Sequence, residues 1–258
     1  MKRSPFPATA TSFPPIPATT ATVEIVIPVY NEERGLEASV TKLNSYLKNS
    51  FPYAYRITIA NNGSSDNTWA VATKLQETFS AVKAFNLDQK GRGRALKAAW
   101  QASTADVVSY MDVDLSTSLD GFLPMVQPLI EGRAALATGT RLSRHSNVTR
   151  SFKRELISRL YNRMIKLALG TAYSDAQCGF KAIRADAAAI LLPEVADNEW
   201  FFDTELLTKA ERRGWAVFEV PVTWIEDSDS RVRIGKTARD DIKGLARLRK
   251  ELRKPLVA

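Results

Sequence analysis

Apolar positions along the chain follow two alternating patterns. Short runs at Val23–Val29, Tyr55–Ala60, Val82–Asn86 and Asp106–Met111 are rich in β-branched or aromatic residues and predict strands, because such side chains suit a pleated, half-buried surface. Between them, Glu33–Lys48, Asn67–Phe79, Gly93–Ser103 and Phe122–Glu131 place apolar residues every three or four positions and predict helices. A repeated strand–helix unit of this kind predicts an α/β fold around a mostly parallel sheet, whose ligands collect outside the carboxyl ends of the strands. A different layout follows. Ala134–Gly139 reads as a strand, Phe152–Leu169 as a basic helix, the next segment as a loop through Gly179, and Ala185–Leu191 as a helix. The acidic, aromatic segment Asn198–Arg213, a strand at Ala216–Val220 and a basic helix at Arg239–Leu252 complete the chain.

Residues 1–22 are rich in proline, alanine and threonine with no amphipathic period, which predicts a disordered arm. Residues 23–235 are then one domain and residues 236–258 a basic C-terminal helix and tail. Prolines interrupt every apolar run of the arm, so a signal peptide is not expected, and no run of about 18 apolar residues occurs to cross a membrane.

The composition removes several kinds of chemistry. One cysteine, Cys178, cannot close an internal disulfide, and the cytoplasm is the simplest compartment. One histidine, His145, rules out a histidine-cluster zinc site, so any metal site must be built mainly from carboxylates, which favour Mg²⁺ or Mn²⁺. A net charge of +8 calls for an anionic partner without saying whether it is nucleic acid, a phospholipid surface or a phosphorylated substrate.

Four short segments carry candidate chemistry. The strand ending at Met111 runs directly into Asp112-Val113-Asp114. Two carboxylates at the edge of a buried strand are costly unless paired, and a divalent ion shared with a diphosphate would pair them; a helix-capping pair is the plainer alternative. Pro28-Val29-Tyr30-Asn31-Glu32 ends the first strand with a flat ring for a base and an acid for base or ribose hydroxyls, or else with an ordinary helix start. Asn61-Asn62-Gly63-Ser64-Ser65-Asp66 is a polar turn at which Asn61 could read a base edge. Lys90-Gly91-Arg92-Gly93-Arg94 opens a helix and reads either as a diphosphate cradle or as a solvated basic loop. It has neither the Walker nor the Rossmann glycine spacing.

In this order and spacing, the four segments resemble the donor half of family-2 glycosyltransferases with the GT-A fold. Downstream, Asp175-Ala176-Gln177-Cys178-Gly179-Phe180-Lys181, Trp200-Phe201-Phe202-Asp203-Thr204-Glu205, Val220-Pro221-Val222-Thr223-Trp224 and Ser230-Arg231-Val232 look like the polyprenyl-phosphate branch, which contains the dolichyl-phosphate glucose and mannose synthases. The resemblance implies a GT-A, Rossmann-like sheet flanked by helices, with C-terminal amphipathic helices. It implies donor contacts at Pro28, Tyr30, Glu32, Asn61, Lys90, Arg92 and Val113. Asp112 and Asp114 would bind Mg²⁺ or Mn²⁺, with Gln177 a further metal or substrate contact. Arg141 and Asp203 would act at the reacting centre, and Lys181, Glu205 and Arg231 would meet acceptor or phosphate. Asn61 stands where the family usually has an aspartate, which leaves uracil and guanine both open.

The implied reaction moves a sugar, glucose first and then mannose or an N-acetylhexosamine, from a nucleoside diphosphate sugar to a polyprenyl or dolichyl monophosphate, with inversion. The alternative is a family-2 enzyme with a soluble or polysaccharide acceptor. Between Arg141 and Lys166 the chain holds eight cations and the single acid Glu155, and Leu156, Ile157, Leu160, Tyr161, Met164, Ile165 and Ala168 recur at helical spacing. That composition suits either packed core with a solvated basic face or an interfacial helix. A lipid acceptor favours the second, with peripheral attachment to an anionic leaflet or to a small integral-membrane partner. Nucleic acid is not expected, because no nucleic-acid-binding motif occurs and the acids at Glu32, Asp112 and Asp114 would repel its phosphates.

Overall fold

The computed structural model describes residues 13–226 and 234–253. A seven-stranded sheet carries the fold. Strands β1 (Thr22–Val29), β2 (Ala54–Asn62), β3 (Val82–Leu87), β4 (Val107–Met111), β5 (Leu136–Thr140) and β8 (Val217–Pro221) run in one direction. Strand β7 (Phe180–Arg184) lies antiparallel between β4 and β5, giving the order β3-β2-β1-β4-β7-β5-β8. Two three-residue strands, β6 (Asn147–Thr149) and β9 (Thr223–Ile225), pair separately. The mostly parallel α/β sheet expected from the pattern is therefore present.

Strand β1 is central and buried on both faces. Its Val23, Ile25, Ile27 and Val29 enter one core, against α1 (Leu36–Ser50), α2 (Thr68–Thr78) and α4 (Phe122–Ile130). Its Val26 enters the other, against α3 (Arg92–Gln101), α5 (Phe152–Leu169), α6 (Ala185–Leu191) and α7 (Phe202–Arg212). This is the period-two division of a strand between two helical layers.

Three features depart from expectation. No strand is expected at Phe180–Arg184, because Lys181 and Arg184 put charge into a run that is in fact wholly buried. Both cations are paired: Lys181 lies 3.5 Å from the buried Asp203, and the buried Arg184 bonds the exposed Asp186 and the Leu129 carbonyl. Second, the later part of the expected disordered arm is a strap. Phe13 meets Trp215 edge-on at 5.4 Å, and the Phe13 and Ile16 amides donate to the carbonyls of Gly132 and Ile130. A strap needs anchors only at a few points, which leaves no period to read; residues 1–12 lie outside the described residues.

Third, the C-terminal helix α8 (Ile234–Glu251) belongs to the domain and is not a separate tail. Leu248 is fully buried in the second core, Arg247 pairs with Glu205 at 2.8 Å, and Lys209 pairs with Glu251 at 2.6 Å. Gly244 sits against the Phe201 ring, where a Cβ would come within 2.5 Å of Cδ1. Replacing Gly244 with Ala therefore forces ring or helix to move, and is expected to destabilise the fold by about 1–3 kcal/mol, read as a lower urea midpoint. An unchanged midpoint would show that α8 does not dock this closely.

Candidate active site

The carboxyl ends of β1, β2 and β4 lie side by side, and side-chain amides lace the loops that leave them. Asn31 takes a left-handed conformation (φ 57°); its amide donates to Ser64 Oγ, and its Oδ1 accepts from the Ser65 amide. The Glu32 amide donates to Thr68 Oγ1 at 2.7 Å. Asn62, one residue beyond the position singled out in the sequence, does most of the joining. Its Nδ2 donates to the Val29 carbonyl, and its Oδ1 accepts from the Gly91 amide, so the ends of β1, β2 and the loop before α3 share one side chain. Asn61 itself is buried, with Nδ2 on Asn86 Oδ1 at 2.7 Å and Oδ1 without a protein partner. Pro28 is buried within β1, and Lys90 lies over the Tyr30 ring, 3.4 Å from its centroid.

Asp112 follows β4 and is partly exposed; Val113 is half-buried, and Asp114 is exposed with Oδ1 accepting from the Ser116 amide. The antiparallel ladder pairs Met111 with Phe180, so the next residues, Asp112 and Gly179, also face each other, and the Asp112 amide donates to the Gly179 carbonyl at 3.2 Å. The Asp112 carboxylate rests on the glycine itself: a Cβ at position 179 would lie 1.7 Å from Oδ2. Among the described residues no group of three or more His, Cys, Asp or Glu side chains gathers as a metal cage. Two carboxylates at an open strand edge fit a hard divalent ion only when other oxygens, such as those of a diphosphate, complete its shell.

Arg92 departs from its expected place on the donor diphosphate. Its guanidinium is buried, bonding Asp112 Oδ1 at 2.8 Å and Asp203 Oδ2 at 2.9 Å. Tyr110 and Trp200 stack near it, with ring centroids 4.6 and 4.9 Å away. Asp203 also accepts from the Tyr110 hydroxyl at 2.6 Å and is almost fully buried. Lys181 is equally enclosed: it donates to the Cys178 carbonyl at 2.6 Å and cannot meet an acceptor. Glu205, expected at the acceptor rim, is instead a buried clamp that accepts from the Ala196 and Asp197 amides and from Arg247. The three share one cause: charge in a segment that turns inward is balanced by other buried charge, which sequence spacing does not display.

On the downstream side, Arg141 makes a two-pronged pair with Asp175, with Nε and one Nη at 2.8 and 3.0 Å. Burial alone would raise the Asp175 carboxyl, but the guanidinium beside it holds it down at about 2. Burial pushes the Cys178 thiol up to about 12, which removes it as a nucleophile. Gln177 donates to Asp241 Oδ2 on α8 at 3.1 Å. Arg231 lies outside the described residues. Tyr110, Trp200, Asp175 and Gly179 join this cluster without a role expected from the sequence, although the last three stand in the downstream segments that resemble the polyprenyl-phosphate branch.

A mostly parallel sheet with one reversed strand inserted beside β4 is the fold of the GT-A glycosyltransferases. The solved structure of glucosyl-3-phosphoglycerate synthase from Mycobacterium tuberculosis with Mn²⁺, uridine-diphosphate-glucose and phosphoglyceric acid superposes with a TM-score of 0.68 over 89% of this chain and 80% of that one, at 21% identity. Residues 24–191 match the model of glycosyl transferase family 2, and the chain belongs to that family. Glycosyltransferase AglD of Haloferax volcanii is 36% identical over 222 residues, 84% of this chain. A dolichyl-phosphate beta-glucosyltransferase of Trichomonas vaginalis is 28% identical over 90% of this chain and 72% of its own length, and the human one 27% over 83% and 70%. The chain spans 36% of the length of the Haloferax protein.

Asp241, which faces Gln177, offers a check on this side of the site. Burial pushes its carboxyl up to about 6, outweighing the Tyr161 hydroxyl and the Gln177 amide beside it. A carboxyl whose pKa is raised on folding binds its proton more tightly in the native state, so it lowers stability as pH rises from about 4 through about 6. Asp241→Asn is therefore expected to gain stability on the wild type over that window, by about 1–3 kcal/mol at pH 7.5 relative to pH 4, read by urea denaturation. A pH-independent difference would show that Asp241 titrates normally.

Proposed function

We propose that this chain transfers glucose from a nucleoside diphosphate sugar to a dolichyl or other polyprenyl monophosphate, with inversion at the anomeric carbon, at a membrane surface. The observation that carries the reading is the Asp112 carboxylate, fixed beside Gly179 at the open end of β4 in a family-2 frame. Family membership supports a nucleotide-sugar donor, and the names of the relatives support glucose and dolichyl phosphate. Tyr30, Glu32, Asn61, Pro28 and Val113 would line the nucleoside side, with Lys90 and Arg141 the cations nearest the phosphates. Asp112 and Asp114 would hold Mg²⁺ or Mn²⁺, which supplies charge neutralisation for the departing diphosphate. Gln177 and Arg231 remain the proposed contacts on the acceptor side.

A phosphate oxygen of the acceptor attacks the anomeric carbon, and the bond from that carbon to the diphosphate oxygen breaks as the nucleoside diphosphate leaves. A monoester phosphate, with a second pKa near 6, is largely dianionic at pH 7, so no side chain has to take a proton. The enclosure of Asp203 by Arg92, Tyr110 and Lys181 fits this, since a buried, ion-paired carboxylate is badly placed to act as a base.

Helix α5 supports contact with the leaflet. Its Asn162, Ile165 and Leu169 are buried, while Phe152, Leu156, Leu160, Met164 and Leu167 remain exposed along the other side. Phe152 and Leu167 are 82% and 79% exposed. Burying a side chain of this size gains about 1.5–3 kcal/mol, so a row left in water marks a docking face, and Lys153, Arg159 and Arg163 beside it suit anionic headgroups. No helix among the described residues is long and apolar enough to span a membrane.

Incubation with Mg²⁺, polyprenyl phosphate and a panel of UDP- and GDP-sugars is expected to yield a glucosylated lipid of inverted configuration. Asp114→Ala is expected to reduce turnover by at least a hundredfold; transfer only to a soluble acceptor, or a retained configuration, would sink the reading. Leu156→Asp with Leu160→Asp, at positions 48% and 58% exposed, is expected to cut cosedimentation with phosphatidylglycerol vesicles several-fold without changing the fold. Equal cosedimentation of wild type and variant, or binding only in the presence of an integral-membrane partner, would remove the lipid from this face.

A further inference from the structure

We propose that Arg92 is a resident counter-ion of the metal site, keeping divalent-cation affinity low until the donor diphosphate arrives. This rests on the reading of Asp112 and Asp114 as the metal-binding pair. The Arg92 guanidinium already satisfies Asp112 Oδ1 at 2.8 Å, where an incoming cation must share the carboxylate with it. It has no easy route away. Its side chain is 9% exposed, its other Nη bonds Asp203 at 2.9 Å, and the rings of Tyr110 and Trp200 stack near it.

The backbone below is equally fixed. The Gly91 amide is tied to Asn62, and a Cβ on Gly93 would meet Phe202 Cβ at 2.7 Å, so the first turn of α3 is pressed onto α7.

Around Arg92 the charges balance without a metal, and of the proposed metal pair only Asp114 stands outside that balance. Arg92 and Lys181 face Asp112 and Asp203, with Lys181 3.5 Å from Asp203. A divalent ion alone would add two positive charges beside a guanidinium that cannot retreat. The chain offers no third acid among the described residues to complete its shell. A diphosphate supplies both missing items, negative charge and oxygen ligands. Cation and donor therefore raise each other's affinity, and by reciprocity the nucleotide binds better with the metal than without it. Asp203 acts through the arginine: by sharing its charge, it limits how strongly Arg92 opposes the cation.

Two substitutions should move Mn²⁺ affinity in opposite directions, which a merely structural role would not do. With wild type, Arg92→Gln and Asp203→Asn, Mn²⁺ binding is measured by electron paramagnetic resonance with and without UDP, and native folding is checked by thermal unfolding. Arg92→Gln removes the charge and withdraws the donor groups from Asp112 while leaving a polar side chain at the position; it is expected to bind Mn²⁺ alone about tenfold more tightly, with a smaller gain on adding UDP. Asp203→Asn leaves Arg92 opposed by Asp112 alone; it is expected to bind Mn²⁺ several-fold more weakly, with a larger gain from UDP. If Arg92→Gln fails to fold, the UDP-dependent gain in Asp203→Asn decides alone, and a gain no larger than that of wild type overturns the proposal. So do shifts of the same sign in both variants, or none in either. Wild type that binds no Mn²⁺ even with UDP overturns the metal reading, and this inference with it.

Discussion

Everything at the site depends on the antiparallel insertion of β7 between two parallel strands. Without it, β4 and β5 would belong to two separate halves, and Asp112 would have no Gly179 backbone to rest on. With it, the pairing of Met111 with Phe180 brings the Gly179 backbone onto the Asp112 carboxylate and carries Lys181 under Asp203. The register matters more than the strand's length. A slip of one residue would turn each β7 side chain to the opposite face and replace the glycine at this contact by a side chain.

Burial of charge is the second organising constraint. Arg92, Lys181, Asp203 and Glu205 are nearly inaccessible, and each has a partner of opposite sign within hydrogen-bonding or ion-pairing distance. Such pairs are weak sources of net stability, because desolvation offsets much of their attraction, but breaking one leaves an uncompensated charge. They fix where the helices α3, α7 and α8 sit relative to the sheet, and so hold a polar site at one defined shape.

The first half of the fold was legible because its strands and helices are local patterns: β1 to α4 follow one another with periodicities that need no partner to be seen. The acids at Asp112 and Asp114 were legible for the same reason, standing at the end of an apolar run. Much of the second half was not. Strand β7 hides its buried character behind Lys181 and Arg184, whose partners lie on other elements. The strap from Phe13 to Ala21 has no period at all. Arg92, Lys181 and Glu205 looked like surface chemistry because a charged residue in sequence carries no mark of the residue that neutralises it. The tail helix looked independent because its anchors, Gly244 and Leu248, are two small or ordinary residues among cations.

The amide of Asn62 has a consequence for how a ligand meets the site. One side chain fastens the ends of β1 and β2 and the start of α3, so the floor where these three loops meet is held together by the protein's own bonds. Little conformational freedom is left there for a ligand to remove, and association with this floor is a docking event more than a folding one.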